Sequence, residues 1–391
     1  MRTASGGSFR CLNTEDLNCI DEGDKMNMMN GKLKRIIVCA VCVAAAFALC
    51  FALGGCGGQE EAIPEENVDY EIALVTDDGL INDGGHSEVA WNAIVDFGGT
   101  NGISHKYYKA SEPTDSAFEE IIRTAINRGA GLVIIDNSSM QEVAYNMQKE
   151  YPEISFAMTE SEPYDENGDI RVDKNTVAVA FDSGQAGFLA GYTAVNEGFA
   201  SVGFIGQSES DEIKGFGYGF VKGANRAAKE RCSTVSMKYL YCDDSMDSEA
   251  VSKMATDMYD DGVECIFAAG GNIQDPVIEA ADLHDGKVIG SITDQSSKSE
   301  RVITSATYDI SGAVKKLLKE YKSGEFPGGE IIRYNAFNKG IGLEVRNNRL
   351  DKLTQRQYDT VYGMLAGGDI KIRTDRVESP EEIIAPNVVF E

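Results

Sequence analysis

From residue 70 onward, short apolar runs alternate with longer amphipathic stretches. The runs "EIALVT" (71–76), "GLVIID" (131–136), "ISFAMT" (154–159) and "TVAVAF" (176–181) are short and rich in β-branched residues, so they read as strands. Between them, 87–97, 116–128 and 139–150 have helical spacing, and each opens on a serine that can cap its first turn. Strands apolar along their whole length, separated by helices, predict a parallel sheet covered on both faces.

A second series repeats the pattern. It predicts helices at 184–198, 217–230, 246–260, 274–284 and 310–322, and strands at 201–206, 234–241, 264–269, 287–292 and 301–306. "IIRYNAF" (331–337) and "GIGLEV" (340–345) read as a closing hairpin, and a helix over 354–365 ends the fold. Two consecutive sheets with a late return to the first predict an α/β protein of two Rossmann-like lobes around a hinged cleft. The expected division is 70–182 plus about 300–391 for lobe 1, and 183–299 for lobe 2.

Open α/β sheets bind ligands outside the carboxyl ends of their strands. That rule selects Asp77, Asp78, Asp136, Asn137, Thr159, Glu160, Asp182, Gln207, Gly270, Gly271, Asn272, Thr293, Asp294 and Gln295. The turn after the first strand is longer than the two to six residues such a connection needs. It gathers Asp77, Asp78, Asn82, Asp83, Gly84, Gly85 and His86, either as a solvated loop or as one wall of a site. Carboxylate and amide oxygens suit a polyhydroxylated or amino ligand. No phosphate cradle, nucleophile elbow or triad is present, so no catalytic residue is assigned. No metal or cofactor is expected, because no CxxC or His-rich spacing occurs.

The N-terminal region changes the cellular picture. Lys32, Lys34 and Arg35 precede the apolar run 36–52, as in a signal peptide. "LGGC" (53–56) then resembles a lipobox, which would put lipid on Cys56 and hold the protein on the outer face of the cell membrane. Residues 1–55 are thus read as leader and lipoprotein signal peptide, and 56–69 as an acidic tether. The first 25 residues do not fit a signal peptide, so the true start is expected at Met26, Met28 or Met29. Six of nine cysteines fall at or before Cys56, leaving Cys232, Cys242 and Cys265 as unbridged thiols. The net charge of −27 argues against nucleic acid as a partner.

The motifs "LVTDDGLINDGGHSEVAW", "FDSGQAGFLAGYTA", "VGFIGQ", "GFGYGFVKGA", "AAGGN" and "TDQ…VITSA" follow the order seen in the basic membrane protein family. With the lipobox, the chain resembles these substrate-binding lipoproteins of ABC transporters over about 70–345. The resemblance implies a periplasmic-binding-protein type I architecture, a nucleoside-like solute in the cleft and a membrane permease as partner. It implies ligand contacts at Asp77, Asn82 or Asp83, and at Gly270 and Gly271. His86 stands where the family has a stacking phenylalanine, and Ser87 where it has an asparagine. Phe216 matches the second stacking aromatic. Asp294 is kept, whereas Ile292 replaces a ribose-gripping aspartate and Tyr308 stands near the place of an expected lysine. These departures weaken the expectation of an unmodified purine nucleoside. Two other readings stay open: a tethered ligand sensor of the same fold, and a metal-dependent nucleoside hydrolase built on the acidic turn.

Overall fold

The structure is a computed structural model. It describes residues 70–77, 81, 84–243, 246–344, 348–373 and 379–391. The leader, Cys56, Asp78, Asn82 and Asp83 lie outside the described residues.

The first half runs β1 (Ile72–Thr76), α1 (His86–Asn101), β2 (His105–Lys109), α2 (Asp115–Asn127), β3 (Leu132–Ile135), α3 (Gln141–Glu150), β4 (Ser155–Met158) and β5 (Thr176–Phe181). The second runs α4 (Ser183–Asn196), β6 (Ser201–Gly206), α5 (Asp211–Glu230), β7 (Val235–Tyr241), α6 (Ser248–Asp260), β8 (Cys265–Ala269), α7 (Gln274–His284), β9 (Lys287–Ile292) and β10 (Val302–Tyr308). There follow α8 (Ile310–Ser323), β11 (Ile331–Tyr334), β12 (Ile341–Leu343), α9 (Gln355–Ala366) and β13 (Val388–Phe390).

These strands form two sheets, ordered β11-β5-β4-β3-β1-β2 and β12-β10-β9-β8-β6-β7-β13. The first is parallel throughout, and the second is parallel except for β12 against β10. The central strands β1, β3 and β8 are buried at every position, as their apolar runs require. Edge strand β2, "HKYYK", buries only Tyr108, so its polar composition hid it from the hydrophobic pattern.

The expected hairpin does not form. β11 pairs in parallel with β5 in the first sheet, whereas β12 pairs with β10 in the second. Two short apolar runs with a turn between them look like a hairpin in sequence, but here the turn carries the chain from one sheet to the other. The stretch from about 300 to 391 also differs from its expected placement in lobe 1: β10, β12 and β13 belong to the second sheet. From that stretch β11 joins the first sheet, and α8 packs beside α1 through Lys315–Asp96 at 3.1 Å and Lys322–Asn101 at 2.7 Å.

The chain therefore crosses between the sheets after β5, after β10 and after β11. The crossings are tied together. Asp182 N–H donates to the Tyr334 carbonyl at 2.8 Å, Asp309 N–H to Gly340 at 2.8 Å, and Ala336 N–H to Gln185 Oε1 at 2.9 Å. Asp182 and Asp309 also cap α4 and α8 with their side chains.

Helix α5 begins at Asp211, six residues before the expected 217, with Ser210 as its cap. The glycines of "GFGYGF" look like loop residues, but they serve packing against α4. A Cβ on Gly219 would lie 2.0 Å from the Gly184 carbonyl oxygen, and one on Gly191 would lie 2.0 Å from that of Phe220. Cys232 is exposed, Cys242 and Cys265 are buried, and all three are free thiols. Among the described residues no helix is long and apolar enough to cross a membrane.

Candidate functional site

The carboxyl ends of the first sheet bring their polar residues together. Asp77, directly after β1, accepts from Asn137 Nδ2 at 2.7 Å. Thr76 and Ser87 hydroxyls lie 3.3 Å apart, joining the end of β1 to the start of α1. Asp136, directly after β3, is 1% exposed and accepts from the Thr159 hydroxyl. His86, the first residue of α1, places Nδ1 2.9 Å from Asp136 Oδ1 and 3.6 Å from Glu160 Oε1. Its ring meets Phe181 edge-on at 6.5 Å. His86 Nε2 and Asp136 Oδ2 are buried without a hydrogen-bond partner.

Burial and the helix N-terminus both oppose a charged histidine. The carboxylates of Asp136 and Glu160 outweigh them and raise His86 to about 9. Burial pushes Asp136 upward as well, but His86 prevails and holds it below its ordinary value. Glu160 has the opposite balance. Burial dominates, with repulsion from neighbouring acids, and lifts it to about 7.

The second sheet supplies Tyr308, the last residue of β10, whose hydroxyl donates to Glu212 Oε1 at 2.8 Å. Burial raises both groups, Glu212 above its ordinary range and Tyr308 well above its own. Aromatic rings join the two sides. Tyr308 stacks on Phe181 at 4.6 Å and 5°, Phe181 on Tyr334 at 5.4 Å, and Tyr308 on Phe216 at 5.6 Å. Phe181, Tyr308 and Tyr334 end the three strands that lead into the crossings.

A backbone outlier marks the second wall. Ile292 has φ of 68°, and Thr293 N–H donates to Ser291 O at 2.7 Å, which makes a γ-turn. A β-branched residue is strained there. The turn aims Thr293 at the other sheet, where its hydroxyl donates to the Gly84 carbonyl at 2.7 Å. Gln295 Nε2 in turn donates to Thr293 Oγ1 at 2.7 Å.

Of the expected contacts, Asp77, His86, Ser87 and Asp136 gather at the first wall, and Tyr308 faces them from the second. Phe216 is fully buried behind Tyr308, between that ring and Phe267, so its faces meet protein. Gly270 has φ of 125°, and a Cβ there would strike the Gln207 side chain; Gly271 is exposed. Asp294 caps its own loop by accepting from Ser296 N–H at 2.9 Å. Sequence reasoning left Phe181, Glu160 and Glu212 out of the contacts it settled on. Ser210 before the amphipathic "DEIKGFGYGF" was the signal for a helix that starts early enough to bring Glu212 in.

Two α/β sheets joined by three crossings, with a polar site between strand ends, define a two-sheet α/β fold with a candidate ligand site at its strand ends. Solved structures share the fold. An ABC transporter solute-binding protein from Aeropyrum pernix K1 aligns with TM-score 0.66 and 16% identity, over 79% of this chain and 94% of its own. One from Conexibacter woesei aligns with TM-score 0.63 and 20% identity, over 78% and 99%. The family model for Bmp, described as "ABC transporter substrate-binding protein PnrA-like", matches residues 71–366. The chain belongs to this family and is an ABC transporter substrate-binding protein. Among relatives, the "ABC transporter nucleoside-binding protein BmpA" of Lactococcus lactis subsp. cremoris is 26% identical over 80% of this chain and 92% of its own length. "Basic membrane protein B" of Borreliella afzelii is 28% identical over 69% and 80%.

Proposed function

We propose that the protein captures a nucleoside or similar small polar solute between its two sheets and delivers it to an ABC permease. On this reading lipid on Cys56 holds it at the outer face of the cell membrane, and the halves close about the three crossings. The observation that carries it is the convergence of Asp136, His86 and Glu160 from one sheet with Tyr308 and Glu212 from the other. The carboxylates among them accept from hydroxyl and amino donors, the His86 imidazolium donates, and closure strengthens those bonds by removing water. Support for a nucleoside comes from the Lactococcus relative's printed description. The contacts proposed are Asp77, Asn82, Asp83, His86, Ser87, Asp136, Asp294 and Tyr308, with Phe216 and the Gly270–Gly271 turn acting through their neighbours.

Mass spectrometry of the purified protein and of molecules released from it tests both parts. A nucleoside-class compound and a diacylglycerol-modified Cys56 are expected. In calorimetry, Asp136→Asn should weaken inosine, adenosine or guanosine binding by about tenfold or more, through loss of a charge-assisted hydrogen bond. Binding of none of the three, with no nucleoside released, would refute the solute class.

A further inference from the structure

The first wall of the cleft carries Asp77, Asp136, Glu160 and Asp182 at the ends of β1, β3, β4 and β5. Glu212 enters from the first turn of α5. These charges act on one another. Beside burial, the charges of Asp136, Glu212 and Asp77 raise Glu160, and those of Glu212, Asp182 and Glu160 raise Tyr308. Among the described residues, the positive group that acts on Asp136, Glu160 and Glu212 is His86. Arg333, which reaches Asp182, is committed to Glu162 at 2.8 Å on the rim.

One imidazolium serves both Asp136, at 2.9 Å, and Glu160, at 3.6 Å. Glu212 has a neutral tyrosine hydroxyl as its partner. A second feature points outward from this set: Asp136 Oδ2 and His86 Nε2 are buried with no hydrogen-bond partner, so the pair keeps an acceptor and a donor position for another molecule.

Building on the solute-binding reading above, we infer that the cleft selects a solute that carries a positive charge, a protonated amine or a cationic heterocycle, with Glu160 and Glu212 as its counter-charges. A neutral solute leaves the half-buried Glu160 and Glu212 to share one imidazolium with Asp136, and their partial burial then favours the protonated forms. A cation displaces those protons. Binding should therefore release protons and tighten as pH rises through about 7, the value to which Glu160 is raised. Over that range His86 stays charged and Asp136 ionised, while Tyr308 stays neutral. Asp182, raised by burial, adds to the same trend.

The test compares adenosine with 1-methyladenosine, a cation at neutral pH, by calorimetry at about pH 6 and pH 7.5 in two buffers of different ionisation enthalpy. The cation should bind about tenfold or more tightly at the higher pH, with proton release and a smaller margin at the lower. Glu160→Gln and Glu212→Gln should each reduce that margin, with circular dichroism and melting confirming that the variants fold. Equal or tighter binding of adenosine, unaffected by pH and by either substitution, overturns the charge preference and leaves the nucleoside reading standing. Binding of spermidine but of neither nucleoside supports the charge preference and overturns the nucleoside reading. Binding of none of the three overturns both.

Discussion

At the scale of residues, His86 shows how a site reverses an intrinsic preference. Buried at a helix N-terminus, it would be neutral but for Asp136 at 2.9 Å. A histidine raised to about 9 contributes stability that is fully present below its ordinary 6.5 and lost as pH rises through 9. Asp136, held low, contributes above its ordinary 3.8 and loses that contribution as pH falls through its lowered value. Glu160 runs the other way, since its raised value makes ionisation costly from about 4.5 to 7. Removing one member of a buried pair costs about 3–5 kcal/mol, because the other charge is left alone. Urea unfolding of His86→Gln should show that deficit near pH 6 and a smaller one above pH 9, where wild type also loses the charge. A deficit constant across that range would mean that the pairing does not stabilise the fold. The acidic turn supplied His86 as a candidate, and the strand-end rule supplied Asp136. Their pairing was not legible, because 50 residues of chain separate them and only the sheet order places β3 beside β1.

At the scale of elements, α4 and α5 explain why "GQAGFLAGYTA" and "GFGYGFVKGA" are rich in glycine. Both helices are buried along most of their faces, and the glycines let their backbones touch. These two motifs of the resemblance are therefore packing devices. Gly191→Ala would set a methyl 2.0 Å from the Phe220 carbonyl oxygen, with backbone on both sides and no flexible side chain to yield. Thermal or urea unfolding should show a loss of about 1–3 kcal/mol, the usual cost of overpacking. Gly363→Ala on exposed α9, where nothing lies within 4 Å, should instead be neutral or slightly stabilising. Equal effects at the two sites would refute the packing role. The same helix α4 ends on Glu197, whose carboxylate accepts the backbone N–H groups of Asp351, Lys352 and Leu353 at 2.7–3.2 Å. That long-range anchor fixes the approach to α9, and nothing local in the sequence announces it.

At the scale of the whole molecule, the crossings and the Thr293–Gly84 bond govern how the two sheets meet. The γ-turn at Ile292 stores strain of about 1–3 kcal/mol, which the surrounding contacts must hold. Its effect is to present Thr293 to the opposite wall. Thr293→Val keeps the shape and removes the hydroxyl, so the closed form should lose about 0.5–1.5 kcal/mol. Solution scattering should then show a more expanded average, and hydrogen exchange at 84–88 should quicken. An unchanged scattering curve and unchanged exchange would show that this contact does not hold closure.

The sequence by itself determined the α/β class, most strands and helices, and the strand-end positions from which a site would be built. Those follow from local periodicity, which reports burial one element at a time. Tertiary structure decided the rest. The runs 331–334 and 341–343 have the same local character, yet they join different sheets, because each fills a free edge beside a strand distant in sequence. Glu212 and Tyr308 lie 96 residues apart and meet because α5 and β10 open onto the same cleft. Ile292 reads as an ordinary strand residue, and its positive φ arises from the turn that Ser291, Thr293 and Gln295 impose together. Charge balance in the cleft is likewise a property of the assembled site: each acid is unremarkable in its own segment, and burial beside the others makes the site acidic.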